Sequence, residues 1–367
     1  MKIAIDVREI RKDVFTGIGT FTRNFIKYLI RFAPEHTYIL IGNQFTDLTG
    51  IGMLPPNFKT VIQAEKSTLL WDQVLLPAVL KRTGSDVFFS PYLKMPFFCP
   101  IPAVVTVHDY PLAYWVRKKN FKQIFTTLPS AYISARKAAK ILTVSKNSKD
   151  DVVRYLRVPA EKISVVYNAA APEYKFINRK KELRASFGID ENAFVIMYSG
   201  NLKKHKNVGL LIDVFLRLHK KYANVLLLIA TSGGGYFFKK IEKAAKFGII
   251  LKKNMTLEQM NVLYNLSDLF VFLSEYEGFG LPVLEAMSCG LPVVSSDASS
   301  LPEVGGDAAY YVKPDSGIDV ELAIEKIMND RQLSRSLIER GLKNVERFSL
   351  QKVGGKILQN ITGALND

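Results

Sequence analysis

The sequence predicts an α/β protein of two Rossmann-like domains, each built on a doubly wound parallel sheet, with a cleft between the domains. Apolar runs that suit buried strands alternate with helix-periodic segments, which is typical of parallel sheets covered on both faces. Both halves of the chain open alike, with a hydrophobic strand, a glycine-containing loop and an amphipathic helix. The length of 367 residues accommodates two domains of about 150 residues each.

The elements of the first half follow from the spacing of apolar residues. The chain opens with a strand at 2–7. A loop containing Gly17 and Gly19 then leads into a helix at 21–32, whose apolar residues recur every three to four positions. Short apolar runs bounded by proline, glycine or charge predict four further strands, at 38–41, 87–90, 103–107 and 141–144.

The second half repeats that opening after an interruption at 167–177. Its predicted elements are a basic helical stretch, an opening strand, a glycine loop, a helix and a later strand, at 178–187, 194–199, 200–206, 207–222 and 269–273. We therefore place one domain at 1–176 and the other at 177–349. We expect a C-terminal helix at 350–367 to cross back and complete the first domain.

Composition indicates a folded protein with anionic partners. Apolar residues make up 48% of the chain, too many for a disordered protein, and the formal net charge is +16. Such a surplus favours nucleic acid, acidic lipid or a phosphate-bearing substrate, without choosing among them. The two cysteines, Cys99 and Cys289, are too distant in sequence for a disulfide framework or a metal knuckle, which suits a reducing compartment.

The expected location is cytoplasmic, either soluble or peripheral on the inner face of the membrane. The N-terminus is charged at Lys2 and Asp6, which argues against a signal peptide. Nowhere does an apolar run approach the ~20 residues that a membrane-spanning helix requires.

The most informative stretch is E-G-F-G-L-P-V-L-E at 277–285, directly after the predicted strand at 269–273. Ligands bind beyond the carboxyl ends of the strands in doubly wound sheets. Gly278 and Gly280 allow the backbone to approach a ligand, and Pro282 suits the first turn of a helix. Glu277 is expected before that helix and Glu285 in its first turn, where both carboxylates can accept hydrogen bonds from sugar and ribose hydroxyls. The alternative is that Glu285 only complements the helix dipole.

This stretch resembles the signature of the large retaining GT-B family called glycosyltransferase family 4. The similarity extends to several other stretches, namely A-M-S-C-G-L-P-V-V at 286–294, L-P-E-V at 301–304, Y-S-G-N-L-K-K-H-K-N at 198–207, W-D-Q at 71–73 and V-H-D at 107–109. Matches in the same order across most of the chain are specific, so the resemblance carries most of the functional prediction.

The resemblance implies a role for each matching residue. The N-terminal domain is the acceptor side, and the C-terminal domain binds the nucleotide-sugar donor. Glu277 contacts the donor sugar, Glu285 the ribose, and the backbone amides of Phe279, Gly280 and Leu281 contact sugar and phosphate. His108 hydrogen-bonds the donor sugar. The resemblance also implies that transfer retains the anomeric configuration.

Lys206 is the predicted phosphate contact. It ends the loop that begins at Gly200, beside Asn207, a residue suited to the N-cap of the following helix. The chain contains no Asp-x-Asp, so we expect no metal and no other cofactor, and Lys206 would neutralise the leaving diphosphate. The family often has an arginine where this chain has Asn201; Lys203 or Lys204 is a substitute for it, or part of a solvated loop.

Two further positions in the first domain are weaker candidates. Asp109, beside His108, would orient the imidazole ring or meet the acceptor. Gly17 and Gly19 follow the first strand, where they would admit an acceptor or phosphate, or simply form a tight turn. The remaining histidines, His36, His205 and His219, are dispersed, which argues against a bound metal.

The segment 110–149 contains no acidic residue but several basic and aromatic ones. Two interpretations stay open: contact with an anionic membrane surface, or a solvated helix whose aromatic residues fill the core.

The predicted function is therefore the transfer of a hexose from a UDP- or GDP-linked sugar to a glycan or lipid-linked acceptor, in cell-surface polysaccharide biosynthesis. One alternative is another nucleotide-sugar enzyme of the same fold, such as an epimerase. A basic nucleic-acid-binding protein is the other. It would leave Glu277 and Glu285 without a purpose, and no nucleic-acid-binding module is apparent, so we expect no nucleic-acid partner.

Overall fold

The computed structural model describes residues 1–12, 16–109, 121–233 and 235–365. The chain forms two compact units. One comprises Met1–Ala169 together with the segment that begins at Leu350, and the other comprises Ala170–Ser349. Each unit contains a parallel sheet with the strand order of a doubly wound fold. The predicted fold class of two parallel-sheet α/β domains is confirmed.

Thirteen strands were assigned among the described residues, seven in the first sheet and six in the second. The first sheet has the order β3-β2-β1-β4-β5-β6-β7. Its strands are β1 (Lys2–Asp6), β2 (Thr37–Gly42), β3 (Phe58–Ile62), β4 (Val87–Ser90), β5 (Ala103–Val107), β6 (Lys140–Thr143) and β7 (Ile163–Val165).

The second sheet has the order β10-β9-β8-β11-β12-β13. Its strands are β8 (Phe194–Ser199), β9 (Val225–Thr231), β10 (Ile249–Lys253), β11 (Leu269–Phe272), β12 (Val293–Ser296) and β13 (Ala309–Val312). In both sheets the strand order reverses beside the opening strand, between β1 and β4 in the first and between β8 and β11 in the second.

The helices of the first unit are α1 (Gly17–Phe32), α2 (Thr68–Leu70), α3 (Leu76–Thr83), α4 (Phe121–Lys137), α5 (Lys146–Leu156) and the C-terminal α14 (Leu350–Gly363), with a π-helical turn at Trp71–Leu75. Those of the second unit are α6 (Lys180–Ser186), α7 (Val208–Lys221), α8 (Phe238–Ala244), α9 (Leu257–Leu266), α10 (Leu281–Ser288), α11 (Leu301–Gly305), α12 (Gly317–Asn329) and α13 (Arg331–Val345).

The first sheet has a hydrophobic core on each face, because alternate residues of its strands point to opposite sides. On one face, side chains of β1 and β2 pack with Phe25 of α1 and with Ile357 and Ile361 of α14. On the other face, Leu80 of α3 and Ala135 of α4 pack with the sheet. The C-terminal helix is thus part of the core of the first unit.

Candidate functional site

In the second unit, the loops after β8 and β11 bring two of the predicted residues together. These strands are neighbours in the sheet, so the residues that follow them lie at the point where the strand order reverses. Lys206 Nζ forms an ion pair with Glu277 Oε1 there, and only 11% and 14% of the two side chains are exposed. The sequence predicted both residues but not their direct contact.

A short 3₁₀ turn, Lys204–Lys206, presents Lys206, whose ammonium group lies 5.2 Å from the ring centroid of Phe272. Asn207 follows in the left-handed conformation (φ 52°) and makes no side-chain capping hydrogen bond to α7. Its Nδ2 instead donates to the carbonyl oxygens of Leu273 (3.2 Å) and Pro314 (2.9 Å). Asn207 thus occupies the predicted N-cap position of α7, but its side chain ties the Lys206 turn to the end of β11 instead of capping the helix.

Two serines hold the loop that contains Glu277. Ser299 Oγ donates to the carbonyl oxygen of Glu277 (2.7 Å), and Ser300 Oγ reaches the carbonyl oxygens of Glu277 (3.0 Å) and Phe279 (2.8 Å). Ser300 is fully buried. These contacts fix the backbone of the loop, so the Glu277 carboxylate has a defined position against Lys206.

The loop ends at Gly280, the residue before α10. Its φ of +108° is unfavourable for residues with a side chain, and a Cβ here would lie 2.5 Å from Leu301 Cδ2. Pro282 lies in the first turn of α10, as predicted, and no described side chain caps this helix. Phe279 is buried and Leu281 half-buried.

Glu285 lies in the second turn of α10 rather than in the predicted first turn, which has no acidic residue. Complementing the helix dipole is therefore a poor explanation for this glutamate. Tyr264 Oη donates to Glu285 Oε2 (2.9 Å) and lies 2.6 Å from Ser199 Oγ at the end of β8. Burial raises the pKa of the Glu285 carboxyl to about 7, against the opposing effect of the Tyr264 hydrogen bond.

The remaining candidates for donor binding, Gly200, Asn201, Lys203 and Lys204, lie in the glycine loop directly after β8. Gly200 has a φ of +141°, and a Cβ there would lie 3.0 Å from Tyr198 Oη. Asn201 is exposed, and its Oδ1 accepts from the amide of Lys203 (3.3 Å). Lys203 and Lys204 are exposed as well, and Lys204 Nζ lies 5.7 Å from the ring centroid of Tyr236.

In the first unit, His108 directly follows β5. Its Nε2 lies 2.8 Å from the carbonyl oxygen of Pro91, and its ring meets Phe21 of α1 edge-on at a centroid distance of 4.9 Å. Burial lowers the pKa of His108 to about 4. The imidazole is therefore neutral at pH 7 and suited to hydrogen bonding rather than to carrying a positive charge.

The weaker candidates of the first unit have different surroundings. Asp109 is exposed. Gly17 and Gly19 open α1, and the Gly19 amide donates to Thr16 Oγ1 (2.9 Å). A Cβ at Gly19 would lie 2.7 Å from the carbonyl oxygen of Glu9, which favours the interpretation that this glycine is needed for close packing. A ligand role for Gly17 stays a prediction.

The basic stretch can be described only in part, because residues 110–120 lie outside the described residues. Across the described ranges, no helix is long and apolar enough to cross a membrane. Within the same ranges, no cluster of three or more His, Cys, Asp or Glu residues is placed to hold a metal ion.

Sequence reasoning missed the residues that support the site. Tyr264 lies in a helical segment without a recognisable motif, and its contact with Glu285 depends on tertiary packing. Ser299 and Ser300 directly precede L-P-E-V, a stretch that resembles the glycosyltransferase family. That position is the sequence feature that could have pointed to them.

Comparisons with known proteins find glycosyltransferase families in both halves of the chain. A family model described as Glycosyltransferase Family 4 matches residues 15–174, and one described as Glycosyl transferases group 1 matches residues 179–344. The chain is 27% identical to an uncharacterized glycosyltransferase of Methanocaldococcus jannaschii, over 96% of each chain. It is 29% identical to the O-antigen chain mannosyltransferase RfbU of Salmonella typhimurium, over 61% of this chain and 60% of RfbU.

Solved structures share the fold at lower sequence identity. WaaG, a glycosyltransferase involved in lipopolysaccharide biosynthesis, superimposes with a TM-score of 0.77 at 18% identity, over 98% of this chain and 100% of WaaG. HepE of Anabaena in complex with UDP-glucose superimposes with a TM-score of 0.76 at 19% identity, over 99% of this chain and 100% of HepE. At these identities the likeness concerns the fold alone.

Proposed function

The chain belongs to the GT-B glycosyltransferases of family 4 and group 1, and we propose that it transfers a hexose from a nucleotide diphosphate sugar to a glycan or lipid-linked acceptor with retention. The observation that carries this proposal is the Lys206–Glu277 pair at the strand-order reversal of the second sheet. A lipopolysaccharide or O-antigen role in the names of WaaG and RfbU supports a place in cell-surface polysaccharide biosynthesis.

The second unit binds the donor in this proposal. Glu285 accepts hydrogen bonds from the ribose hydroxyls, and Tyr264 orients its carboxylate. Glu277 accepts from hydroxyls of the transferred sugar. The backbone at Gly200, Asn201 and 279–281 approaches the diphosphate and the sugar. UDP and GDP are both candidate donor nucleotides.

Lys206 has two anionic partners in turn. In the free protein it neutralises Glu277, whose carboxylate would otherwise be a half-buried unpaired charge. When the donor binds, its ammonium group is shared with the diphosphate and stabilises the negative charge that develops as the glycosidic bond breaks. A protein cation thus takes the task that a divalent metal has in metal-dependent transferases.

None of these residues is assigned as a covalent nucleophile, so we propose a single displacement without a glycosyl-enzyme intermediate. Attack by the acceptor hydroxyl on the face that the diphosphate leaves passes through an oxocarbenium-like state. The departing phosphate oxygen then takes the proton of the acceptor hydroxyl. His108, neutral at pH 7, hydrogen-bonds the transferred sugar and holds it in the reactive orientation.

The charge distribution supports an anionic acceptor on the first unit. Its sequence carries 26 Lys and Arg against 13 Asp and Glu, a formal charge of +13 out of the total of +16. The second unit, with the proposed donor residues, carries the remaining +3. Such an asymmetry favours association with a phosphate-linked lipid or an acidic glycan.

Ligand-dependent thermal stability tests the donor site. The purified protein is heated with UDP, GDP and their sugars, with and without EDTA. A ligand at 100 times its dissociation constant adds about 2.7 kcal/mol. We expect stabilisation by one nucleotide series, insensitive to EDTA and lost in Glu285→Ala. Stabilisation by oligonucleotides and by no nucleotide sugar would instead point to a nucleic-acid-binding protein.

A further inference from the structure

A buried polar cluster occupies the strand-order reversal of the first sheet, where the proposed chemistry assigns no role. Arg8 follows β1 and forms a bidentate ion pair with Asp6, with Arg8 Nη2 2.8 Å from Asp6 Oδ2. Arg8 Nη2 also lies 2.7 Å from Asp72 Oδ1, and the guanidinium stacks on Trp71 at 3.6 Å from the ring centroid. Arg8, Asp6, Asp72 and Trp71 are all at least 92% buried. Burying several charges is expensive, so the arrangement calls for a reason beyond stability.

Tyr92 connects this cluster to the loop after β4. Its hydroxyl donates to Asp6 Oδ2 at 2.5 Å. Burial and the neighbouring Asp6 raise the pKa of Tyr92 well above its ordinary value, so the hydroxyl keeps its proton and remains a donor. The backbone of the same turn is fixed from the other side, because Ser90 Oγ donates to the carbonyl oxygen of Tyr92 (2.9 Å).

The residue before Tyr92 is Pro91, whose carbonyl oxygen meets His108 Nε2 at 2.8 Å. A carbonyl oxygen can only accept, so Nε2 carries the proton of the neutral imidazole. His108 Nδ1 therefore has an available lone pair and acts as a hydrogen-bond acceptor. A sugar hydroxyl can donate to it, whereas the opposite tautomer would offer the sugar a donor in its place.

We propose that Tyr92 is a positioning residue for sugar transfer: its bond to Asp6 holds the Pro91 carbonyl against His108 and thereby keeps Nδ1 unprotonated. The inference rests on the proposed function, in which His108 binds the transferred sugar. The Asp6–Arg8–Asp72 cluster is the rigid support of this arrangement, which explains why charged groups are buried at the end of β1.

Histidine ¹⁵N spectra and kinetics of Tyr92→Phe test the proposal. The chain has four histidines, so His108→Asn identifies the His108 signals. In the wild type at pH 7.5 we expect a protonated Nε2 and an unprotonated Nδ1. In Tyr92→Phe we expect both tautomers and a kcat lower by about tenfold, since misplacing a reacting group by ~1 Å costs up to about 10²-fold. The KM for the donor should change less than kcat.

Tyr38→Phe is the matched control. Tyr38 is also a buried tyrosine of the first unit, and its hydroxyl donates to the Ala33 carbonyl (2.7 Å) rather than to Asp6. It should lose stability as Tyr92→Phe does but keep the tautomer and the kcat. Ser90→Ala, a milder change of the same turn, replaces Tyr92→Phe if the latter does not fold.

Two results would overturn the proposal. One is a wild-type His108 protonated at Nδ1. The other is a Tyr92→Phe variant that retains the wild-type tautomer and matches Tyr38→Phe in kcat. The spectra need no substrate, so they remain decisive even if the protein transfers no sugar and the proposed function fails.

Discussion

Glu285, the proposed ribose contact, illustrates at the scale of a single residue how a buried carboxylate lowers stability. Its carboxyl is buried, and one hydrogen bond from Tyr264 only partly offsets the loss of hydration. The pKa of Glu285 in the folded protein, about 7, lies above the ordinary value of 4.5. Folding therefore favours the protonated form of Glu285, and ionisation of this carboxyl destabilises the folded protein.

The sign of this effect gives the first prediction. The stability that protonated Glu285 contributes is fully present below pH 4.5 and is lost as the pH rises towards 7. Glu285→Gln should therefore match the wild type at pH 4 and exceed it at pH 8 by up to about 3 kcal/mol. Urea denaturation at both pH values measures the difference. Glu325→Gln, which removes a partly exposed carboxylate paired with Lys221, should give no gain at pH 8. Equal gains of Glu285→Gln at both pH values would refute the assignment.

Lys206 gives the second prediction. Lys206→Ala removes the cation that pairs with Glu277 and, in our proposal, with the diphosphate. Steady-state assays should show a kcat lower by about 10²–10³-fold, the loss typical of removing one transition-state-stabilising donor. The matched control is Lys221→Ala, because Lys221 also pairs with a glutamate but is 59% exposed. Similar losses in the two variants would mean that Lys206 has no role in the chemistry.

The sequence predicted most residues of the candidate site, but it did not predict which of them contact each other. Glu277, Glu285 and Lys206 lie in stretches that resemble the glycosyltransferase family, so the sequence alone identified them as candidate site residues. The Lys206–Glu277 pair joins residues 71 positions apart, and nothing local encodes it. Asn207 lies at the predicted N-cap position, but residue preference alone does not reveal that the end of β11 competes for its side chain.

At the scale of elements, the attachment of α14 to α1 depends on one glycine. A Cβ at Gly354 would lie 2.1 Å from Tyr28 Cγ, whereas one at Gly355 would approach only the Tyr28 ring end, at 3.4 Å from Oη. Both glycines belong to the same helix and neither has a positive φ. The pair therefore separates the effect of packing from that of helix propensity.

The third prediction compares alanine at these two positions. Gly354→Ala should destabilise the protein by about 1–3 kcal/mol, as overpacking does in other cores. Gly355→Ala should be neutral or stabilise by up to about 1 kcal/mol, because alanine favours a helix over glycine. Differential scanning calorimetry of both variants measures this. A Gly354→Ala variant as stable as Gly355→Ala would mean that α14 does not pack closely on Tyr28.

Elements with a strong apolar pattern were predicted best. The strands at Val87–Ser90, Ala103–Val107 and Phe194–Ser199 have the predicted bounds. The edge strand Phe58–Ile62 was not predicted, since three of its five residues are exposed and its apolar residues do not alternate with polar ones. Ile163–Val165, only three residues long, offers too short a pattern to recognise.

At the scale of the whole molecule, the uneven charge of the two units gives the fourth prediction. The first unit, at +13, should bind vesicles with roughly 30% anionic phospholipid, since each Lys or Arg near such a surface adds about 1 kcal/mol. Cosedimentation should be absent with zwitterionic vesicles. It should also be lost near 1 M salt, where the Debye length is about 3 Å.

Two triple variants locate this binding. Neutralising Arg117, Lys118 and Lys119 of the basic stretch should weaken it. Neutralising Lys243, Lys246 and Lys253 of the second unit, which removes the same charge, should not. Equal weakening by both triples would leave net charge as the cause and would contradict a membrane-binding segment in 110–149.

In our proposal, this chain transfers a hexose from a nucleotide diphosphate sugar without a metal ion. The most direct measurement follows labelled UDP- and GDP-hexoses by NMR in the presence of EDTA, with an extract of lipid-linked glycans as acceptor. We predict release of one nucleotide diphosphate and a product with the donor's anomeric configuration, both lost in Lys206→Ala. Three results would rule out metal-independent transfer with retention: consumption that requires a divalent cation, a product of inverted configuration, or no consumption of any donor that the protein binds.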